Sequence, residues 1–254
     1  MSIRQDHELK AMQQISAIVA KTLKSMCDYA APGMSTKALD NFGGALLQSF
    51  GARSAPALAY KFPGHTCISV NEEIAHGIPK KNKVLQEGDL VNIDVSAEAD
   101  GFWADNGCSF VLGEDFHGYG NLVQASKEIL RTAIEQIKGG VRIAVIGRSI
   151  EAEAKKRGFK VIKNLAGHGV GKSLHESPEE ILNCYDRFNR ERFKVNSTVA
   201  IETFIATKST LALKQRDGWT LKGRQGGFVA QHEHTVLVTD SQPIILTTGN
   251  GVWD

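Results

Sequence analysis

Residues 90–110 read LVNIDVSAEADGFWADNGCSF, and the fold turns on how this stretch is read. From Leu90 to Ser96 polar and apolar residues alternate, the period of a strand. Phe102 to Phe110 reads as a second strand, and Asp100-Gly101 between them tolerates the positive φ values that a two-residue hairpin needs. With the turn centred on that pair, Ala99 faces Phe102 and Ser96 faces Asp105. Asp94 lies two residues before Ser96, so Asp94 and Asp105 share a face as diagonal neighbours, about 7–8 Å apart at the backbone. Carboxylates crowded among apolar residues repel each other unless they share a proton or a cation. Their side chains can converge on one or two ions; the alternative is that both acids face solvent.

Working outward, the segment containing Asp94, DLVNIDVS, has an echo at residues 197–204, STVAIETF, which carries Glu202 among apolar neighbours. Each acid-bearing strand is followed by a later strand with a second acid, Asp105 in one case and Glu233 in the other. The pattern predicts two similar halves that meet at a central site. The later strand, Val229 to Thr239 (VAQHEHTVLVT), directs Gln231, Glu233 and Thr235 to one side and His232 and His234 to the other. Spacing alone leaves two readings open, a His232-x-His234 metal pair or Glu233 as the ligand.

Between the halves, residues 165–178 read LAGHGVGKSLHESP, with His168 and His175 on either side of a glycine-rich turn. Glycine lets a backbone pass close to a neighbour, and histidine is a common metal ligand that titrates near neutrality. By itself the segment fits equally well a glycine loop with one surface and one core histidine. Oxygen donors with a single histidine suit Mn(II), Fe(II), Co(II) or Zn(II) better than an ion that prefers thiolates.

The remaining chain supplies helices. Leu9, Met12, Ile15, Val19, Leu23 and Met26 recur every three or four residues between His7 and Tyr29, and Leu39, Phe42, Leu46 and Phe50 form a second stripe that Ser35 or Thr36 can cap. Residues 121–139 and 142–157 give two more, the second ending in Lys155-Lys156-Arg157-Gly158. Residues 55–76 read as irregular, with a short strand at 66–70.

The chain has 254 residues, 42% hydrophobic and 23% charged, with a formal charge of +2. That is ordinary for a protein with a sizeable core, and too mildly basic for nucleic acid as the main partner. The four cysteines, Cys27, Cys67, Cys108 and Cys184, contain no CxxC pair, which argues against a disulfide framework or a zinc knuckle. The polar N-terminus MSIRQDHELK is not a signal peptide, and no apolar run reaches membrane-spanning length. A cytoplasmic, reduced protein is expected.

Five motifs in order, CISVNEEIAHGIP, NIDVSAEADGFWAD, GHGVGKSLHESP, AIETF and QHEHT, resemble those of the methionine aminopeptidases, over nearly the whole chain. The resemblance implies an α+β fold of the pita-bread (creatinase/aminopeptidase) type: a curved, mostly antiparallel sheet backed by helices, in pseudo-two-fold halves, with residues 1–254 as a single catalytic metallopeptidase domain. It implies that Asp94, Asp105, His168, Glu202 and Glu233 hold two divalent metal ions (Mn, Fe, Co or Zn). Asp105 and Glu233 would bridge the ions and His168 would bind one. By the resemblance Glu233, not the HxH pair, is the ligand, and His234 supports the ligands from behind. His76, His175 and Glu202 would be the catalytic residues, the two histidines also holding the scissile amide. The methionine pocket would comprise Phe62, Cys67, Leu174 and Trp219.

In such a site two cations lower the pKa of a shared water and polarise the peptide carbonyl. The reaction implied is removal of N-terminal methionine from peptides and nascent chains whose second residue is small. The chain departs from the best-known bacterial pattern at Ala59, where an aromatic is expected, and at Leu174, where phenylalanine is common. It is expected to lack the N-terminal zinc-binding extension of eukaryotic type I enzymes and the helical insertion of type II, and so to be bacterial-style type I. A monomer with transient ribosome contact is expected, with neither membrane nor nucleic acid as main partner. The alternatives are an aminopeptidase P or prolidase-like peptidase on the same scaffold, or a non-catalytic binding protein of that fold.

Overall fold

The computed structural model describes residues 1–253. In chain order its elements are α1 (Asp6–Tyr29), α2 (Thr36–Ser49), β1 (Arg53–Ser54), α3 (Ala55–Tyr60), β2 (Cys67–Val70) and β3 (Glu73–Ala75), then β4 (Leu90–Ala99), β5 (Phe102–Val111), α4 (Gly120–Glu135) and α5 (Ile143–Lys156). These are followed by β6 (Lys160–Val161), β7 (Ala166–Gly169), β8 (Glu176–Leu182), β9 (Thr198–Ala206), β10 (Ala212–Lys214), β11 (Leu221–Gly223), β12 (Val229–Leu237) and β13 (Ile244–Ile245).

The hairpin forms in the register that its turn dictates. Ala99 pairs with Phe102 and Ser96 with Asp105, and the two turn residues Asp100 and Gly101 take φ values of 52° and 78°. Both are positive, as a turn matching the right-handed twist of the strands demands. The main sheet runs β1-β4-β5-β12-β9-β7-β8, and its pairings are antiparallel. A small sheet, β10-β11-β3, stands apart from it.

The echo between Asp94 and Glu202 is a real symmetry of the architecture. Outer strands β4 and β9 flank inner strands β5 and β12, and the halves join where β5 meets β12. Each half carries its own helix pair. The α1 stripe Met12, Ile15, Val19, Leu23 and Met26 is buried with Val91, Ile93 and Val95 of β4 in one core. Ile129 and Leu130 of α4 and Ile146 and Ile150 of α5 are buried with Val199 and Ile201 of β9 in a second. Each such aliphatic side chain contributes roughly 1.5–3 kcal/mol on leaving water. With both cores behind the sheet, its opposite face is free to carry polar groups.

Two local expectations are corrected. Residues 55–60 are not irregular but form the short helix α3, because Ser54 accepts from Ala57 N as an N-cap and Pro56 sits in the first turn. The second is one of detail: His168 and His175 do flank the glycine-rich turn, but His168 belongs to strand β7, which runs to Gly169 before the turn begins.

Candidate metal centre

Strand pairing alone gathers the acids. Asp94 on β4 lies opposite Gly107 on β5, Gly107 opposite Glu233 on β12, and Glu233 opposite Glu202 on β9. One rung of the sheet thus carries three carboxylates across four strands. The next rung carries the others: Asp105 opposite Ser96, and His168 on β7 opposite Ala200, which itself pairs with Thr235. Positions two apart on a strand share a face, so all five side chains project from one side of the sheet. Thr235 ties the two halves together along this second rung, its hydroxyl accepting from Asp105 N at 3.0 Å and donating to Asp105 O at 2.7 Å.

The side chains converge. Ligand atoms of Asp105, His168 and Glu233 lie within 4.8 Å of one another, and His168 Nε2 is 3.8 Å from Asp105 Oδ2. The Nδ1–H of His168 faces the Gly169 carbonyl at 3.0 Å, and donating to it leaves a lone pair on Nε2 aimed at the acids. Burial holds this imidazole neutral, pulling its pKa down to about 3. Desolvation pushes Asp94 up to about 6. It pushes Asp105 well above the carboxylate range, with the charges of Glu233 and Asp94 adding to it. Glu202 and Glu233 are raised in the same way, by burial first and by neighbouring carboxylates second.

This arrangement fits divalent cations. Asp105 Oδ1 and Glu233 Oε1 are buried with no hydrogen-bond partner among the described residues, and a buried carboxylate left so is costly. Four oxygen-donor side chains and one neutral imidazole can satisfy such ions, whereas a single shared proton satisfies at most one pair. The notional pair His232/His234 is excluded by position. Both rings project to the helix side of the sheet, where His232 bonds Ser126 Oγ at 2.9 Å and the Ser109 carbonyl at 3.0 Å. His234 also departs from its expected supporting role. Among the described residues it bonds no ligand: its Nδ1 meets Thr247 Oγ1 at 2.9 Å and its ring lies tilted against Trp253, centres 4.5 Å apart, because alternation turns it away from Glu233.

Two supporting groups were not foreseen. Gln231, on the face of Glu233, donates from Nε2 to Glu233 Oε2 at 3.1 Å and accepts from Asn92 Nδ2 at 2.8 Å. Gly107 makes room for that amide: a Cβ there would lie 2.3 Å from Gln231 Oε1. A glycine inside a strand is itself a sign of close approach, so the signal was in the sequence.

The acids floor a cavity walled by Phe62, Cys67, Leu174 and Trp219, with His76 and His175 at its sides. Every anticipated pocket residue is therefore present. Phe62 meets Trp219 edge to face at 5.2 Å. His175 packs against His168, ring centres 4.0 Å apart. His76 holds a φ of 53°, a strained backbone that persists where surroundings impose it, often at functional sites. Ala59 does not face the cavity; the aromatic wall on that side is its neighbour Tyr60, whose hydroxyl lies 2.7 Å from His175 Nδ1.

Comparison with known proteins agrees with this geometry. The sequence pattern of metallopeptidase family M24 matches residues 10–240. The chain is similar to methionine aminopeptidase 2 of Bacillus subtilis, 49% identical over 97% of this chain and 99% of the relative. It is 41% identical to the methionine aminopeptidase of Staphylococcus epidermidis over 97% and 98%. The crystal structure of methionine aminopeptidase from Thermotoga maritima superposes with a TM-score of 0.91 at 32% identity, covering 97% of this chain and 99% of that one. Prolidase from Pyrococcus furiosus shares the fold alone, at 21% identity and a TM-score of 0.77 over 65% of its length. The fold is thus the pita-bread type, and the chain belongs to metallopeptidase family M24, within its methionine aminopeptidases.

Proposed function

We propose that this protein hydrolyses the first peptide bond of chains that begin with methionine followed by a small residue, and that residues 1–254 form one catalytic domain. The observation that carries the reading is one cavity lined both by four acids with His168, the ligand atoms of Asp105, His168 and Glu233 lying within 4.8 Å of one another, and by the apolar walls Phe62, Cys67, Leu174 and Trp219. Asp94, Asp105, His168, Glu202 and Glu233 would hold two divalent ions. Manganese, iron, cobalt or zinc each suit this donor set. Divalent cations so bound lower the pKa of water and polarise a carbonyl.

The remaining steps belong to the chain's own side chains. Phe62, Cys67, Leu174 and Trp219 take the methionine side chain, and a shallow apolar pocket of that kind gains from burying a flexible thioether. Glu202 takes a proton from the attacking water and passes it to the leaving amine. His175 donates to the scissile carbonyl as negative charge grows there, the role of an aimed neutral donor. Desolvation lowers its pKa, so at neutral pH it is the imidazole that serves. His76, on the other wall, holds the peptide amide. Nascent chains in the cytoplasm are the proposed substrates, met by a monomer in transient contact with the ribosome.

The test compares a Met-Ala-Ser peptide with an Xaa-Pro peptide, each with added Mn(II) or Co(II). Release of methionine from the first alone is expected. Cleavage of the second alone would move the protein to the prolidase-like activities, and cleavage of neither would end the enzymatic reading.

A further inference from the structure

Tyr60 has no part in the proposed reaction, yet the backbone places it closely. Helix α3 begins on the Ser54 cap and Pro56 and ends at Lys61, which adopts the left-handed conformation at φ 59°. Lys61 N donates to the Ala57 carbonyl at 3.2 Å and Phe62 N to the Pro56 carbonyl at 3.2 Å, closing the helix as αL termini do. A residue with a Cβ pays about 1–2 kcal/mol for that conformation. The reversal at Lys61 brings two side chains to the same cavity, Tyr60 and Phe62.

The Tyr60 hydroxyl lies 2.7 Å from His175 Nδ1, with the rings tilted at 58° and 5.5 Å between centres. Two protonation patterns are compatible with that distance. If Nδ1 carries the proton, Nε2 turns a bare lone pair to the cavity and His175 cannot donate to a carbonyl. If the phenol donates, the proton of the neutral ring sits on Nε2 and the ring is held with that N–H directed inward. Burial keeps the phenol protonated, and a protonated phenol is a good donor.

We infer that Tyr60 is a positioning residue of the reaction: its hydroxyl donates to His175 Nδ1 and so fixes the imidazole with Nε2–H facing the scissile carbonyl. The inference rests on the reading of His175 as the donor to that carbonyl. It also gives a reason for the aromatic at 60 in a chain that has alanine at 59. The hydrogen bond to His175 is made from the end of α3, not from the next residue back along it.

The test is Tyr60→Phe, which keeps the ring and removes the donor. Nitrogen-15 spectra of the full chain loaded with diamagnetic Zn(II), with His175 assigned by its loss in His175→Gln, report the state of both ring nitrogens. The wild type should show an unprotonated, hydrogen-bonded Nδ1 and a protonated Nε2, and Tyr60→Phe should move Nδ1 towards the free-nitrogen shift. In turnover of Met-Ala-Ser, kcat should fall roughly three- to tenfold, the worth of one hydrogen bond, with KM changed less than about twofold. A proton on Nδ1 in the wild type would overturn the inference, as would a variant with the His175 resonances or kcat unaltered. A loss confined to KM would also overturn it, by making Tyr60 a wall of the pocket and nothing more. If the wild type releases no methionine, the functional reading fails, while the His175 resonances still decide whether the hydrogen bond exists.

Discussion

Replacing Gly107 by alanine should damage the metal centre without touching a ligand. A Cβ at that position would lie 2.3 Å from Gln231 Oε1, 2.6 Å from Nε2 and 2.8 Å from Cδ. Gln231 is 2% exposed and cannot swing its amide out into solvent. It must give up its hydrogen bonds to Asn92 and Glu233, at 2.8 and 3.1 Å. Overpacking of a buried site costs about 1–3 kcal/mol, and each lost hydrogen bond about 1 kcal/mol. The variant should therefore be less stable by about 3–5 kcal/mol, a large part of the stability of an ordinary protein. Glu233, deprived of the donor that orients it, should bind metal about 10–100-fold more weakly, as when a partner behind a ligand is removed. Urea unfolding of the metal-free protein reads the first effect and calorimetric titration with Mn(II) the second. Adding Gln231→Ala to Gly107→Ala removes the clash but not the loss of the donor, so the double variant should regain part of the stability and none of the affinity. A Gly107→Ala protein with the wild-type unfolding midpoint and Mn(II) affinity would refute the reasoning.

Further expectations concern the faces of the last strand and the charge of the centre. Glu233→Ala should abolish high-affinity metal binding, whereas His234→Ala should leave it near wild type and lower stability by about 1–3 kcal/mol, the cost of a broken buried hydrogen bond; metal titration and thermal unfolding of both variants check this, and loss of metal from His234→Ala alone would mean that the strand faces are reversed. The metal-free protein should become less stable as pH rises above about 7.5, a unit beyond the ordinary histidine value. In that range His76, His168, His175 and His234, lowered in the fold, are neutral in both the folded and the unfolded chain and drop out. Asp105, Glu202 and Glu233, raised well above their ordinary values, release their protons later than the unfolded chain does, three groups against the one lowered Met1 ammonium, so stability falls with pH. Cations replace those protons, and their stabilising effect should grow across the same range; a melting temperature of the metal-free protein that rises with pH would contradict this.

How far the sequence carried the structure follows from the kind of signal each part leaves. The β4–β5 register was legible because Asp100-Gly101 admits one tight turn, and that turn fixes every pairing back to Asp94 and Asp105. The helices α1 and α2 and the face of Glu233 followed from periodicity in the same way. What periodicity cannot supply is which strands become neighbours. The seam between β5 and β12 pairs residues 107 and 233, and nothing local in either segment announces it. The choice between Glu233 and the HxH pair accordingly stayed open until five ordered motifs were taken together. Tyr60 and Gln231 escaped notice because they act through a neighbour: neither type is distinctive in a sequence, and each gains its role from a partner more than a hundred residues away or on another strand. The expectation for His234 failed for a simpler reason, since nearness in sequence to Glu233 is on a strand the opposite of nearness in space.

The central claim is that five side chains on two rungs of one sheet make a divalent metal centre on which methionine release depends. Titrating Mn(II) under anaerobic conditions into chelator-stripped protein, while methionine release from Met-Ala-Ser is followed, tests it most directly. Release should be absent at the start, rise with added ion, level off by two ions per chain, and not appear in Glu233→Ala. Methionine release by the stripped wild type in excess chelator, or an identical titration of Glu233→Ala, would contradict it.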